Sequence, residues 1–365
     1  MRLIDICDFQ GGSQPPKEEW TFEKKNGYIR MLQIRDFTQR EKVVPEYIKL
    51  GNTTKICESD DILIARYGAS IGKILTGLAG AYNVAMMRVI PDTSKIKKRY
   101  LYYYMKSTYF QNTILNVGSR AEQAGFNKED LSSLEIECPS LSKQDDIIRV
   151  LSKIESVIDK RKEEIGYLDV LIKARFVELF GNEKHRMMMS EVCSIITDGT
   201  HQPPKFKREG IPFIFVSNIA EDRLTYNAEK FIDQETYDEL IKRTPIEIGD
   251  VLLSTVGSYG HPAVVKSDKK FLFQRHIAYL KPRREIVDSE FLHGAILSSG
   301  VQAQIEKAVK GIAQKTLNLS EIKKMVIPVP TMDMQKHFAA FVAEVDKSKY
   351  CRCKSRRLLQ RVASI

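Results

Sequence analysis

The sequence has no long apolar run and few cysteines. No segment approaches the roughly 18 consecutive apolar residues of a membrane helix, and the N-terminus shows no apolar signal core. Six cysteines in 365 residues are too few for a dense disulfide framework, and the Cys351-x-Cys353 pair has no second pair nearby to complete a zinc site. We therefore expect a cytoplasmic protein with reduced thiols and no bound metal.

Catalytic motifs are also missing. The stretch Gly68–Lys73 resembles a phosphate-binding loop, but it is one residue too short, and Ile74 stands where the metal-binding hydroxyl should be. Neither Pro-Pro pair belongs to the Asn/Asp-Pro-Pro-aromatic loop of an adenine-N6 methyltransferase, Pro91-Asp92 is not followed by a nearby Asp/Glu-x-Lys, and the six histidines form no H-E-x-x-H. We expect no catalysis in this chain, which argues against an autonomous ATP-dependent nuclease.

Basic residues are in excess. The chain has 57 Lys and Arg against 47 Asp and Glu, which gives a net charge of +10 and a pI near 9.1. Such a balance favours a polyanionic partner such as nucleic acid. The 43% of apolar residues and the length suffice for two hydrophobic cores.

The chain contains an internal duplication. The stretch SDDILIARYGASIGK (Ser59–Lys73) matches EIGDVLLSTVGSYGH (Glu247–His261), with Asp61 opposite Asp250 at an offset of 189 residues (250 − 61). Further pairs at offsets of 182 to 191 are Pro15-Pro16 with Pro203-Pro204, Met31–Ile34 with Phe213–Val216, Pro91 with Pro282, Asn127 with Asn318, Pro139 with Pro330, and Gln144 with Gln335. Units of this length are too long for a solenoid repeat and indicate a duplicated domain.

Each copy is predicted to be a mixed α/β globule, spanning residues 1–141 and 182–333. Period-two apolar alternation predicts the strands, and longer periodic segments predict the helices. The strands of the first copy are expected near Tyr28–Phe37, Asp61–Arg66, Val84–Ile90 and Ser133–Cys138, with helices near Lys98–Asn116 and Lys128–Leu131. Those of the second are expected at Phe213–Ile219, Asp250–Thr255, His276–Leu280 and Met325–Val329, with helices at Asp288–Val309 and Leu319–Ile322.

A long helix is predicted after each globule, within residues 142–181 and 334–365. The first should begin with Ser142 as N-cap and end at Phe180 before Gly181, a length of about 58 Å at ~1.5 Å per residue. Its apolar residues recur in steps of four and three, which is typical of a coiled coil. The seam consists of Ile147, Leu151, Ile154, Ile158, Ile165, Leu168, Ile172 and Leu179, and the matching seam of Phe338, Val342, Val345, Lys349, Arg352, Arg356, Leu359 and Ala363. We expect the two helices to form an antiparallel pair that relates the globules by a pseudo-twofold axis.

This arrangement resembles the specificity subunit of type I restriction–modification enzymes over the whole chain. The local marks are GDVLLSTVGSYG and LNLSEIKKMVIPVPTMDMQKHF, with weaker counterparts SDDILIARYGASIG and FNKEDLSSLEIECPSLSKQDDI in the first half. The sequence departs from the family where an acidic residue usually precedes the exit glutamine, since Lys143 and Met334 occupy those positions.

The resemblance implies two target recognition domains, each binding one half of a bipartite DNA target. It also implies that the helices set the spacer and dock two methyltransferase subunits and the restriction subunits. S-adenosylmethionine, ATP and Mg²⁺ would then be bound by those partners and not by this chain. Two alternatives are a specificity subunit of a related type II enzyme and a coiled-coil scaffold that binds no DNA.

Candidates for DNA contact are residues at matching positions of the two copies whose side chains differ in chemistry. Arg, Lys, Asn and Gln can read base edges, and cationic side chains bind phosphates. In this alignment Ser70–Lys73 lies opposite Tyr259–Pro262. The candidates of the first copy are Gln14, Lys17, Arg35, Arg66, Tyr67, Ser70, Lys73 and Asn83. Those of the second are His201, Gln202, Lys205, Ser217, Asn218, Tyr259, His261, Gln274, Arg275 and His276.

Overall fold

The structure is a computed structural model that describes residues 1–39, 42–118, 125–311 and 315–363. It forms two compact units: unit 1 contains Met1–Lys162 with the C-terminal residues from Lys354, and unit 2 contains Glu163–Cys353. Within these described ranges, no helix combines the length and the apolar character needed to span a membrane.

Unit 1 is built on two small sheets. Its strands are β1 (Cys7–Gly11), β2 (Tyr28–Leu32), β3 (Glu46–Lys49), β4 (Ile56–Cys57), β5 (Ile62–Ala65), β6 (Ile74–Leu75), β7 (Gly80–Tyr82) and β8 (Met86–Pro91), and its helices are α1 (Ile34–Gln39), α2 (Lys98–Lys106), α3 (Thr108–Gly118) and the long α4 (Leu141–Phe180), which continues into unit 2. One sheet is antiparallel in the order β1-β8-β5-β6. The other has the order β3-β2-β7-β4, with β2 and β7 parallel.

Unit 2 repeats the strand order of the antiparallel sheet and the central pairings of the mixed sheet. Its strands are β9 (Arg186–Met188), β10 (Cys193–Asp198), β11 (Ile211–Ile214), β12 (Phe231–Ile232), β13 (Val251–Ser254), β14 (Pro262–Val264), β15 (Leu272–Phe273), β16 (Ile277–Pro282) and β17 (Val326–Pro328), and its helices are α5 (Met189–Val192), α6 (Gln234–Leu240), α7 (Ser289–Leu297), α8 (Ser299–Ala308), α9 (Leu319–Lys324) and α10 (Met332–Ala363). The antiparallel sheet has the order β10-β16-β13-β14, and the mixed sheet has the order β12-β11-β15 with β11 and β15 parallel. The predicted mixed α/β fold and the duplication are both confirmed.

The main core of each unit lies between the antiparallel sheet and the helices that follow it. In unit 1, Ile64 and Val89 of the sheet belong to the same buried cluster as Leu101, Phe110 and other helix residues. In unit 2, a larger cluster joins Leu253 and Leu280 of the sheet to Phe291 and Ile305 of α7 and α8. The four-residue strands β5 and β13 are buried along their whole length, as the apolar runs ILIA and VLLS indicate.

Two predicted strands end earlier than expected. Tyr28–Phe37 is a strand only to Leu32, because the buried carboxylate of Asp36 accepts the backbone N–H of Gln33 at 2.8 Å and turns the chain into α1. Asn218 has the same function in unit 2, since its Oδ1 accepts the N–H of Phe215 at 3.0 Å and closes the short 3-10 helix Val216–Asn218. An Asp or Asn that bonds a nearby backbone N–H is a local turn signal that competes with the strand.

The two long helices predicted inside the globules are both broken in the middle. Ser107 and Ser298 have extended backbone conformations that end α2 and α7. The Ser107 N–H donates to Tyr104 O, and the Ser298 N–H donates to Ala295 O. The Ser298 hydroxyl also caps α8 through the N–H of Val301 at 3.5 Å, and Ser107 accepts the N–H of Phe110 at 3.3 Å. Serine is among the preferred N-cap residues, so the break follows from residue type.

The final strand is confirmed only in the second copy. Met325–Val329 contains β17, which pairs with β9 in an antiparallel manner. Ser133–Cys138 forms no ladder; Glu135 makes an isolated bridge to Arg2, and Ile136 donates its N–H to Met1 O at 2.9 Å.

Helix α4 begins at Leu141, so the expected N-cap is displaced. Ser140 takes this role instead of Ser142, since its hydroxyl accepts the N–H of Lys143 at 3.4 Å. The predicted apolar seam is buried or half-buried at each position whose side chain the structure describes, whereas Val150, Val157, Tyr167 and Val177 are exposed. The side chains of Arg356 and Ala363 lie outside the described residues.

Within unit 2, α4 and α10 run antiparallel. Lys349 Nζ lies 2.7 Å from Asp169 Oδ1, and Arg352 Nε lies 3.1 Å from Glu164 Oε2, so residue numbers rise on one helix as they fall on the other. Lys349 and Arg352 of the second seam are thus paired with acids. Both pairs are half-exposed and are worth little individually.

Two buried residues near the end of α4 do not belong to the predicted seam. Phe176 and Phe180 form a cluster with Phe291 of α7 and Phe338 of α10, with ring centroids 5.0 to 6.4 Å apart. These distances are typical of edge-to-face aromatic contacts. A Cβ on Gly294 would lie 2.7 Å from the Phe338 ring, so only glycine lets α7 approach this closely.

A buried glutamine fastens each long helix to its globule. Gln335 is completely buried; its Oε1 accepts the N–H of Asp288 at 2.9 Å, and its Nε2 donates to Ile286 O and Pro330 O at 3.0 and 2.9 Å. Gln144 makes the same three contacts in unit 1, to Lys97 N–H and to the carbonyls of Lys95 and Pro139, at 2.8 to 2.9 Å. The departures at Lys143 and Met334 do not affect this interaction, because both side chains are exposed.

Replacing Gln335 by Leu should destabilise unit 2. The change leaves one buried N–H and two carbonyls unsatisfied, and we expect the free energy of unfolding to fall by at least ~2 kcal/mol. The neighbouring exposed substitution Met334→Leu should change it by less than ~0.5 kcal/mol. Urea unfolding of both variants checks this, and equal midpoints would contradict it.

Candidate nucleic-acid interface

Three backbone segments meet at the end of β5 in unit 1. The N–H of Gly12 donates to Met86 O at 3.1 Å, that of Ser13 to Tyr82 O at 3.0 Å, and that of Arg66 to Ala85 O at 2.9 Å. The start of the Pro-Pro loop, the end of β5 and the turn between β7 and β8 therefore form one surface. We call these segments, Gly11–Ser13, Arg66–Tyr67 and Tyr82–Ala85, the junction of unit 1.

Unit 2 has the same junction, formed by Asp198–Thr200, Thr255–Val256 and Gln274–His276. Thr200 donates its N–H to Phe273 O at 2.9 Å, Arg275 donates to Thr200 O at 3.0 Å, and Thr255 donates to His276 O at 3.0 Å. In both units a glycine permits the close approach, because a Cβ on Gly12 or Gly199 would lie 2.1 or 2.2 Å from a backbone oxygen.

A glycine turn follows the junction in each unit. Gly68 and Gly72 have φ of +65° and +78°, and Gly257 and Gly260 have +73° and +81°, so each position favours glycine. A helix glutamine holds each turn: Gln111 Nε2 donates to Gly72 O and Gln302 Nε2 to Gly260 O, both at 3.0 Å.

The turn corrects the sequence alignment by one residue. Gly260, and not His261, takes the place of Gly72, so the offset there is 188 (260 − 72). The hydrogen bonds agree, because Ala65 donates to Lys73 O just as Ser254 donates to His261 O, each at 3.0 Å. Lys73 and His261 therefore occupy matching positions at the exit of the turn.

Two cationic candidates of unit 1 are held by one buried carboxylate. Glu46 is ion-paired with Arg35 and with Lys17, whose Nζ lies 2.8 Å from Oε1, and it accepts Gln33 Nε2 at 2.7 Å. Burial acts to raise the pKa of Glu46, but these partners outweigh burial and lower it. Lys17 also lies 3.7 Å from the centre of the Trp20 ring. Lys17 and Arg35 thus share one carboxylate, which partly neutralises their charge.

Arg66 and Asn83 are two further polar candidates in the unit 1 junction. Arg66 Nε donates to Phe126 O at 3.2 Å, and its guanidinium lies 5.0 Å from the centre of the exposed Tyr67 ring. Asn83 is half-buried, and its Oδ1 accepts no hydrogen bond from the part of the chain that the structure describes.

In unit 2, His201 belongs to an ionic cluster beside the junction. His201 Nε2 lies 2.9 Å from Asp198 Oδ2, and Arg243 Nη2 lies 2.5 Å from Asp198 Oδ1. Asp198 and Arg243 are absent from the sequence-based candidates, although Asp198 lies opposite Gly11 and so meets the criterion of a matching position with different chemistry.

The two candidates in the glycine turn of unit 2 also have acidic partners. His261 Nδ1 lies 2.8 Å from Asp222 Oδ1, and the Tyr259 hydroxyl donates to the carboxylate of Glu306 at 3.1 Å. Asp222 has a positive φ of +57°, which is uncommon for a residue other than glycine.

Asn218 is placed differently from the prediction. Its side chain is buried, its Oδ1 accepts the N–H of Phe215, and its Nδ2 donates to Asn227 O at 3.0 Å. The structure therefore makes Asn218 a support of its loop instead of a surface residue. The other candidates have exposed or half-exposed side chains: Gln14, Ser70, Lys73, Gln202, Lys205, Ser217 and Gln274.

The junction of unit 2 opens into a cleft of about 280 Å³. Its lining includes Asp198, Thr255, Arg275, His276 and Asn318. Burial first, and the charge of Arg275 second, lower the pKa of His276, which favours the neutral form of its ring. Asn318 is absent from the sequence-based candidates, although its match to Asn127 in the duplication is a signal that could have identified it.

Comparison with known proteins identifies the family. The family model of the type I restriction modification DNA specificity domain matches residues 1–166 and again residues 187–351. The chain therefore belongs to the family of type I restriction–modification specificity subunits and carries the specificity domain twice.

Individual relatives agree with this assignment. The type I restriction enzyme MjaVIII specificity subunit of Methanocaldococcus jannaschii is 20% identical over 375 residues, which cover 95% of this chain and 85% of the relative. The type I restriction enzyme EcoBI specificity subunit of Escherichia coli is 29% identical over 147 residues, or 40% of this chain and 31% of the relative. A solved chain described under "Structural basis underlying complex assembly and conformational transition of the type I R-M system" shares the fold, with a TM-score of 0.52, 17% identity, and coverage of 100% of this chain and 95% of that one.

Replacing Gln302 by Leu should loosen the glycine turn of unit 2. Gln302 bonds both Gly260 O and Ile296 O, at 3.0 and 2.8 Å, and these bonds hold the turn against α8. We expect amide hydrogen exchange at Gly260 and His261 to become about tenfold faster, as the loss of about 1.4 kcal/mol of local stability implies. Ala303→Leu, on the exposed side of α8, is the control, and unchanged exchange in Gln302→Leu would refute the clamp.

Proposed function

We propose that this chain is the DNA sequence-recognition subunit of a type I restriction–modification system and performs no catalysis itself. The observation that carries the proposal is the repeated junction: one backbone framework holds different polar side chains in the two units. Base edges are distinguished by such side chains, whereas a shared framework sets their position on the duplex. Each unit would therefore bind one half of a bipartite target.

The division of labour between globules and helices belongs to the same proposal. The recognition domains would comprise residues 1–141 and 182–333, and the helices within 142–181 and 334–365 would set the spacer and dock partners. Those partners are two methyltransferase subunits, which bind S-adenosylmethionine, and restriction subunits, which use ATP and Mg²⁺. The net charge of +10 favours binding to double-stranded DNA in the cytoplasm.

The first test is a map of methylated adenines in cells that contain this chain and its methyltransferase partner. A bipartite motif that disappears on deletion of the chain supports the proposal. A chain that retains no duplex in a mobility-shift assay with its partner would favour the alternative of a protein-binding scaffold.

Exchange of the second globule should change one half of the target and leave the other intact. The segment Arg186–Pro330 contains the whole second set of sheets and its junction, so a relative's segment can replace it without altering unit 1's junction. The methylated motif of the chimera is the measurement. A change in both halves would contradict the assignment of one globule to one half.

Lengthening both helices should lengthen the spacer of the target. Glu164 on α4 lies opposite Arg352 on α10, so four residues inserted after each position add a matching turn to both helices. Four residues add about 6 Å at ~1.5 Å per residue, and DNA rises ~3.4 Å per base pair. We expect a spacer longer by one or two base pairs, with both half-targets unchanged.

The control for the helix insertion lies outside both helices. A four-residue insertion in the exposed turn at Asp268-Lys269 should leave the methylated motif as it is. An unchanged spacer in the double insertion, with full methylation, would show that the helices do not determine the gap.

A further inference from the structure

The cleft of unit 2 has a filled counterpart in unit 1. Arg66 occupies the backbone position of Thr255, since each donates its N–H to the third segment of its junction. The Arg66 side chain extends to Phe126 O, and a Cβ on Gly11 would lie 3.7 Å from its Nη1. Phe126 and Gly11 match Leu317 and Asp198, which line the cleft in unit 2. The cleft is thus open in unit 2 because threonine is small.

The mouth of each junction carries a different exposed side chain. Asn83 matches Gln274 and Ala85 matches His276, so Val84 in unit 1 stands where Arg275 stands in unit 2. Both side chains are exposed, and Val84 is 43% exposed although it is apolar. Because both side chains are exposed, packing within the described residues explains neither the valine nor the arginine.

The Arg275 guanidinium is placed to donate hydrogen bonds to an acceptor outside the described residues. The backbone of Arg275 is fixed, because its N–H donates to Thr200 O. Its Nε donates to His276 Nε2 at 3.4 Å, and the two Nη groups donate to none of the described residues. A guanidinium held at Nε presents its remaining donors as a fork, the geometry that matches O6 and N7 of guanine.

We propose that the position occupied by Val84 in unit 1 and by Arg275 in unit 2 determines base specificity, an inference that rests on the proposed function. Arg275 recognises a guanine in one half of the target, and Val84 recognises a thymine methyl group in the other half. An arginine that bonds only phosphates would position the protein without selecting a base. Lysine can replace arginine at a phosphate but does not reproduce the fork. The conservative substitution therefore separates the two roles.

The experiment uses the full chain with its methyltransferase partner and duplexes in which each base pair of the mapped target is changed in turn. Arg275→Val should weaken binding to the cognate duplex about 5- to 150-fold and abolish the preference at one G·C pair of the second half. Arg275→Lys should lose the same preference although its charge is kept. Val84→Arg should alter the preference at one base pair of the first half only.

Lys269→Val is the matched control, since it removes one exposed positive charge of unit 2 away from the junction. It should leave every base preference unchanged. Weakening of all duplexes by the same factor in Arg275→Val, or an unchanged motif in Arg275→Lys, would overturn the inference while the proposed function stands. A wild-type complex that selects no duplex would overturn both.

Discussion

The architecture depends on one buried side-chain amide that occurs twice. Gln144 and Gln335 are fully buried, and each satisfies one backbone N–H and two carbonyls where a globule meets its long helix. A buried amide is stable only when its donors and acceptors are matched, so the interaction is specific in direction as well as favourable. It therefore determines the direction in which each long helix leaves its globule.

The other contacts between each globule and its long helix are of different chemical kinds in the two units. In unit 2 the aromatic cluster of Phe176, Phe180, Phe291 and Phe338 packs where Gly294 leaves room. In unit 1 the residue matching Gly294 is Tyr103, whose hydroxyl donates to the half-buried Glu155 of α4 at 3.0 Å. Glu155 is also ion-paired with Arg99 and Lys106, and these partners lower its pKa although burial acts to raise it. One attachment is thus apolar and the other ionic on the same backbone plan.

The junction shows how a duplicated framework can diverge in its contacts. Both units share the glycine that lets the segments meet and three backbone hydrogen bonds among the segments. The donors are the N–H groups of Gly12, Ser13 and Arg66 in unit 1, and of Gly199, Thr200 and Thr255 in unit 2. They use only main-chain atoms, so the side chains are free to differ without loss of the fold. Arg66 fills its cleft, Thr255 leaves its cleft open, and the adjacent position changes from Val84 to Arg275.

The amino-acid pattern alone was sufficient for the mixed α/β class, the duplication, the central strands β5 and β13, and the apolar stripe of the long helices. These features rest on periodicity, which is local and repeated. It was not sufficient where one side chain decides the local path: Asp36 and Asn218 end strands early, and Ser107 and Ser298 divide helices. Tertiary contacts alone brought the three segments of each junction together, buried Asn218, paired Lys17 and Arg35 with Glu46, and placed Phe176 and Phe180 in a core. Those outcomes depend on contacts between residues distant in sequence, and periodicity along the chain contains no information about such contacts.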